Sequence, residues 1–419
     1  MPSPYRGLFA APGTRSFTAA GLVGRMPIAM MGLGVVTMVS ELTGAYGVAG
    51  ALAATVALST AALGPQVSRL VDRYGQRRVL RPAALVALTA VAALVLSTGL
   101  GWPQWTLFVF AAFAGCVPSL GSMIRARWIT VFRDRPDRLH AAFSWESIVD
   151  ELCFVFGPVL AIGLSTGWFP QAGPLAAAVF LVTGVFWLTS QRATEPAPHP
   201  RDHNSPGSAL RTPGLWILVV TLVAVGAIFG AVDVATVAFA EEQDRKAAAS
   251  LLLAVYALGS CVAGAAFGMF RPRGPAVRRW LAGVCAVGLS MIPLQLVGNL
   301  PFLAVALFLA GLTIAPTMVT TMALVGELVP RTKLTEGMTW ASTGVAVGVA
   351  LGASATGRVV DVAGAAAAYG VPAVAGALAV AAAVLGHRRL RPRSAAGRQE
   401  GTANDRLEQA QRPQERHLA

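Results

Sequence analysis

The chain has 419 residues, 55% of them hydrophobic and 13% charged, with a formal net charge of +13. A soluble domain carries about 25% charged residues, so the composition excludes an ordinary soluble enzyme and makes lipid the expected solvent. The positive charge does not point to nucleic acid, because the arginines sit in short clusters between long apolar runs, the pattern of loops facing anionic lipid.

Crossing the hydrocarbon core takes about 20 apolar residues. Runs of that kind lie near 20–43, 47–68, 79–100, 104–126, 143–167 and 171–190, then near 214–239, 247–270, 277–298, 301–325, 336–357 and 365–386. The expected fold is therefore all-α and integral to the membrane, with twelve spans in two six-helix bundles. Its parts are an N-terminal half at 1–190, a central cytoplasmic loop at 191–213, a C-terminal half at 214–387 and a disordered tail at 388–419. With the N-terminus inside, every lysine and arginine falls on inner segments except Arg25, Arg245, Lys246 and Arg358. That asymmetry places both termini in the cytoplasm and the chain, multi-pass, in the inner (plasma) membrane. Trp102, Trp105 and Trp168 fall at predicted outer ends, and Trp128, Trp145, Trp187, Trp216 and Trp280 at inner ends, where indole rings suit the headgroup level. Cys116, Cys153, Cys261 and Cys285 lie in apolar segments without paired spacing and read as packing, not as disulfides or metal ligands. The first apolar run is too long for a signal peptide and has no small-residue cleavage site.

In the first span, Arg25 stands beside Pro27 near the inner end, where it either snorkels to the interface or pairs with an acid as a cavity charge. Glu41 lies near the outer interface and is expected to be hydrated there. Met26, Met30, Met31 and Met38, with Phe110, Phe113, Phe154 and Phe156, either line a site for lipophilic molecules or pack the core and the lipid face.

Between the second and third spans runs Ser68-Arg69-Leu70-Val71-Asp72-Arg73-Tyr74-Gly75-Gln76-Arg77-Arg78. Gly75 permits a tight turn, and Asp72 is placed to cap a helix end or pair with an arginine. This segment resembles the loop signature of the major facilitator superfamily, usually Gly-x-x-x-Asp-Arg-x-Gly-Arg-Arg. Asp72, Arg73, Gly75, Arg77 and Arg78 match it, while Ser68 replaces the first glycine and Gln76 a frequent basic residue. The resemblance extends to the six-plus-six layout. It implies a loop that latches the two halves in one state of alternating access. The equivalent segment in the second half, Arg271 to Arg279, keeps the basic residues without the acid, as a degenerate repeat would.

The fourth span reads Phe113-Ala114-Gly115-Cys116-Val117-Pro118 and lacks the central arginine followed by Gln-Gly of many proton-driven exporters of that superfamily. On the fifth span, Phe156-Gly157-Pro158 is similar to the core of the Gly-Pro signature of its antiporter branches, with proline expected to kink the helix. Ser260, Gly264 and Gly268 on the eighth span and Gly344, Gly348 and Gly352 on the eleventh place small residues every four positions, a close-packing pattern. The resemblance puts both stripes at the contact between the halves.

Ionisable groups inside a membrane are costly and suggest function. Glu146 and Asp150 share a helix face, and Glu151 points about 100° away. Such grouped carboxylates suit a proton carrier or substrate contact; alternatively they pair with Arg125 and Arg127, the reading preferred for Glu146. Asp233, deep in the seventh span, is a candidate cavity carboxylate or a buried pair.

These features favour a secondary transporter, not an enzyme: a proton-linked exporter (antiporter) of small amphipathic or lipophilic compounds, of the efflux type. The alternative is a proton-coupled importer of a small metabolite. A membrane enzyme or receptor would need convergent groups, yet the five histidines fall in loops or tail and no nucleotide loop appears. Expected partners are a small-molecule substrate, protons and membrane lipid, with no cofactor, metal or nucleic acid, and the chain is expected to be a monomer.

Overall fold

The computed structural model describes residues 4–43, 46–198, 207–245, 248–270 and 274–390. The expected disordered tail beyond 390, the middle of the central loop at 199–206 and Arg271–Arg273 of the second-half loop lie outside the described residues.

All regular structure described is helical. In chain order the helices are α1 (Pro4–Leu8), α2 (Thr14–Thr43), α3 (Tyr46–Tyr74), α4 (Gln76–Gly99), α5 (Gln104–Ala114), α6 (Leu120–Val131), α7 (Pro136–Gly167) and α8 (Ala172–Ser190). There follow α9 (Leu215–Glu242), α10 (Ala248–Met269), α11 (Ala276–Ser290), α12 (Leu300–Gly311), α13 (Ile314–Leu328), α14 (Leu334–Ala368) and α15 (Gly370–Gly386). Eleven helical stretches among the described residues are long and apolar enough to cross a membrane, and Gln104–Ala114 is a shorter apolar helix.

The expected fourth span at 104–126 is not one helix. It breaks after Ala114 and restarts at Leu120. Pro118 has no backbone N–H to continue the ladder, and Gly115 lies against α3 so closely that a Cβ there would stand 2.7 Å from the Val56 carbonyl oxygen. The tenth expected span, 301–325, breaks likewise between α12 and α13, where a Cβ on Gly311 would stand 3.2 Å from Gly259 Cα of α10. At both breaks a glycine lets one backbone settle onto another, a contact that hydropathy does not register. The eleventh span continues to Ala368, interrupted by Gly364 with φ +83°.

Packing distinguishes the two ends of the bundle. At the end bearing Arg69–Arg81, Arg125–Arg138 and Arg331, here the basic end, one core runs from Leu8 through Trp128, Phe143 and Leu188 to Leu215, Trp280, Met338 and Leu390. Toward the opposite end there are two cores. One draws only on residues 26–178, around Met30, Met38 and Leu94; the other only on 228–375, around Val232, Met291 and Tyr369. Helices α1–α8 and α9–α15 are thus fused by apolar packing at the basic end and part company toward the other.

Candidate functional site

The joint between the two helix sets begins at the α3–α4 turn. Gly75 takes φ +90°, a conformation that suits glycine alone, and turns the chain from α3 into α4. This aims Asp72 at the first turn of α14, where its carboxylate accepts hydrogen bonds from Thr335 N at 3.1 Å and Glu336 N at 2.9 Å. Two of the four orphan donors that open any helix are satisfied in this way from across the interface. Arg69 donates to Glu336 at 2.8 Å, and the Ser68 and Thr339 hydroxyls meet at 2.7 Å. Ser208 Oγ and Ala209 N, from the central loop, also donate to Glu336 Oε1. The other side of that loop reaches the turn too: Glu195 Oε1 accepts from Arg77 N at 2.9 Å. Arg73 lies over the Tyr74 ring, and no ion pair is formed by Arg73, Arg77 or Arg78 among the described residues.

A second joint forms where α7 crosses α10. Tyr5 of α1 donates to Ala265 O at 2.9 Å, and His140 meets Phe267 O at 2.8 Å. A Cβ on Gly268 would stand 2.7 Å from Ser144, and one on Gly264 3.4 Å from Ile148. One turn further from the basic end, Ser260 Oγ donates to Glu151 at 2.6 Å. The small-residue stripe of the eighth span thus meets the other helix set. The stripe of the eleventh does not. Gly344, Gly348 and Gly352 face α9 in their own set, where Cβ atoms would come within 2.9 Å of Val219 O, 2.8 Å of Ala227 N and 2.7 Å of Ala227 Cα. Gly157 likewise faces Ala29 of α2, and α7 runs through Pro158 as one helix. A spacing pattern identifies a close-packing face but not the partner it meets.

The interior acids separate into two groups. Glu146 is fully buried and pairs with Arg25; it also accepts from Trp128 Nε1 at 2.7 Å. Asp150 takes Arg25 at 2.9 Å and Arg125 at 2.5 Å. Arg25 is 2% exposed, so it pairs and does not snorkel. The expected partnership of these acids with Arg127 is not seen. Arg127 is buried among neutral acceptors, the Gln76 and Thr194 side chains and the Leu188 and Gln191 carbonyls. Arg125 enters the interior because α6 begins afresh at Leu120, which sets it on the second turn of a new helix. Two arginines and two carboxylates therefore close a charge-balanced network joining α2, α6 and α7.

Glu151 and Asp233 form the second group, within electrostatic range of one another from α7 and α9. Neither has a basic partner among the described residues. Asp233 sits mid-way along α9 with its side chain exposed at the protein surface. Tyr256 and Ser260 of α10 flank the pair, an involvement that neither residue's sequence context signals. Among the described residues no cluster of His, Cys, Asp and Glu suits a metal ion.

By sequence, no curated protein matches the chain. Solved structures do. The human organic anion transporter MFSD10 (TETRAN) superposes with a TM-score of 0.66 at 15% identity, covering 91% of this chain and 100% of that one. A bacterial homologue of the iron transporter ferroportin in its outward-facing state gives 0.70 at 16% identity, covering 90% and 99%. The transporter FucP in the outward conformation gives 0.64 at 13%, covering 88% and 98%. At these identities the likeness is one of fold. The family profile described as Major Facilitator Superfamily matches residues 17–291 and 234–414. With nearly the whole length matched and a bundle of membrane-spanning helices on the page, the chain belongs to the Major Facilitator Superfamily and is a transport protein, not an enzyme.

Proposed function

We propose that this chain is a proton-linked exporter of small amphipathic or lipophilic compounds, working by alternating access in the inner (plasma) membrane. In this reading the twelve spans form two six-helix halves, 1–190 and 214–387, with α5–α6 and α12–α13 each crossing as a broken helix. The central loop at 191–213 and both termini are cytoplasmic, consistent with the positive-inside rule. The basic end is then the inner end, and a bundle closed there and divided at the other is the outward-facing state. The Asp72–α14 contact acts as the latch of that state.

One observation carries the reading: Glu151 and Asp233, two carboxylates without basic partners among the described residues, sit where the helix sets diverge. Membrane-embedded carboxylates that no arginine neutralises are suited to exchange protons. Asp150, held by two arginines, is assigned to the structural network instead.

The test is expression in an efflux-deficient host against a panel of toxic amphiphiles. Resistance to at least one compound is expected, and its loss in Glu151→Gln and Asp233→Asn at unchanged protein level. Proton-driven accumulation of a labelled solute inside right-side-out vesicles would overturn export in favour of import.

A further inference from the structure

A helix as short as α1 is not stable by itself in water, so what it touches must hold it. The start of α2 secures the carbonyls at its C-terminal end. Thr14 Oγ1 donates to Ala11 O at 2.7 Å and lies 2.9 Å from Leu8 O, and Arg15 Nε donates to Phe9 O at 3.2 Å. Gly13, at φ +81°, sits in the turn between the two helices. Tyr5 and Phe9 stand four residues apart and both rest on Trp145 of α7, with ring centroids 6.2 Å and 5.3 Å away. Between them Leu8 is fully buried in the core of the basic end. The carbonyl and ring contacts all bind α1 to its own helix set.

One side chain reaches across to the other set. Tyr5 Oη donates to Ala265 O at 2.9 Å and lies 3.3 Å from Gly264 O, both on α10. Its ring is seated on Gly268, where a Cβ would stand 3.0 Å from Tyr5 Cζ and would collide with the hydroxyl. Gly268 therefore serves two close contacts, one with Ser144 of α7 and one with this tyrosine. The tie to α10 is small, one hydrogen bond and one ring on a glycine, whereas the ties to α2 and α7 are several. When α10 leaves α7, α1 stays with the first set and the Tyr5 bond is the one that breaks.

We infer that α1 is a strap over the joint of α7 and α10, with Tyr5 as its hook on the second helix set, and that releasing this hook is part of opening the basic end. The strap is separate from the Asp72 contact: one ties α1 to α10, the other α3 to α14. It rests on the alternating-access part of the proposed function and on neither proton coupling nor the direction of transport.

The test reads distances between spin labels at Asp134→Cys and Arg278→Cys in the full chain, reconstituted in lipid nanodiscs with Cys116, Cys153, Cys261 and Cys285 replaced by serine. Both labelled residues are exposed, one on each helix set at the basic end. Tyr5→Phe keeps the ring on Trp145 and Gly268 and removes only the hydroxyl. It is expected to raise the population of the longer distance about fivefold, the worth of one hydrogen bond. Gly7→Ala, on the same helix with open space at its Cβ, is expected to change nothing. Each variant is measured again together with Asp72→Asn, which weakens the other joint, and the fivefold effect of Tyr5→Phe should recur there because the sites are distinct. A shift with Asp72→Asn but none with Tyr5→Phe in either background overturns the strap and leaves alternating access standing. One unchanging distance in every variant overturns both. A shift in Gly7→Ala as large as that in Tyr5→Phe shows a general loosening of α1 and overturns the hook.

Discussion

Asp72→Asn isolates the contact between the α3–α4 turn and α14. The wild-type carboxylate accepts from Thr335 N and Glu336 N, one oxygen to each. An amide keeps one acceptor oxygen and presents an N–H₂ to the other donor, so one backbone N–H at the helix start is orphaned. Losing a capping bond costs about 1 kcal/mol, and removing the negative charge from a helix N-terminus costs about another 1 kcal/mol in a partly buried setting. Both bonds cross the interface, so opening the basic end would break them. The full ~2 kcal/mol therefore falls on the closed state and raises the open-to-closed ratio about 30-fold. Spin labels at Arg133→Cys and Arg331→Cys report it. Both residues are exposed and line a cleft of about 180 Å³ with Asp72 and Thr335, one on each side of the joint. Cys116, Cys153, Cys261 and Cys285 are first replaced by serine. A longer label-to-label distance should gain population in Asp72→Asn. An unchanged distance distribution, with only a lower melting temperature, would show that the bonds hold the fold and not the state.

Two further outcomes follow from the interior packing. Glu146→Gln leaves Arg25 buried with Asp150 as its remaining acid, and should cost about 3 kcal/mol of stability, the lower end for breaking a buried pair. Thermal unfolding in detergent measures it, and the double variant Arg25→Met, Glu146→Leu should recover part of the loss; failure to recover any would show that the pair is needed for more than charge balance. Gly348→Leu forces a side chain into the backbone of α9 at Ala227 and should destabilise by about 3 kcal/mol, the upper end for overpacking, whereas Gly357→Leu on the same helix, with open space at its Cβ, should leave the melting temperature nearly unchanged.

Hydropathy and charge were enough to read an all-helical membrane chain, because the cost of unsatisfied backbone in lipid leaves few alternatives. The breaks at Gly115 and Gly311 were not legible, since an apolar run reads alike whether its helix is continuous or interrupted. The Asp72 segment was recognisable as a motif. Its partner, the first turn of α14, was not, because a helix start has no signature for the residue that caps it from another part of the chain. The acids were found by their rarity in apolar segments, but only tertiary packing separates Asp150, neutralised by Arg25 and Arg125, from Glu151 and Asp233, which are not. Tyr256 gave no signal at all. A lone tyrosine in a transmembrane run resembles any other aromatic until its hydroxyl is seen without a partner.

The glycine contacts between α9 and α14 have a mechanical consequence. Gly226 and Gly230 of α9 lie on the α14 backbone at Val345 and Val349, while Gly344, Gly348 and Gly352 lie on α9. Along most of this contact backbone meets backbone, which leaves little room to slide or repack and favours movement of the two helices as one rod. Asp233 stands about one turn past Gly230, level with the upper part of that rod, and Thr335 and Glu336 form its foot. From Glu336 to Val349 the rod is about 20 Å long at 1.5 Å per residue. A tilt of the rod at the Asp233 level would carry its foot against Asp72, so the weld would make the pair a lever between the place where the bundle divides and the place where it is bolted shut.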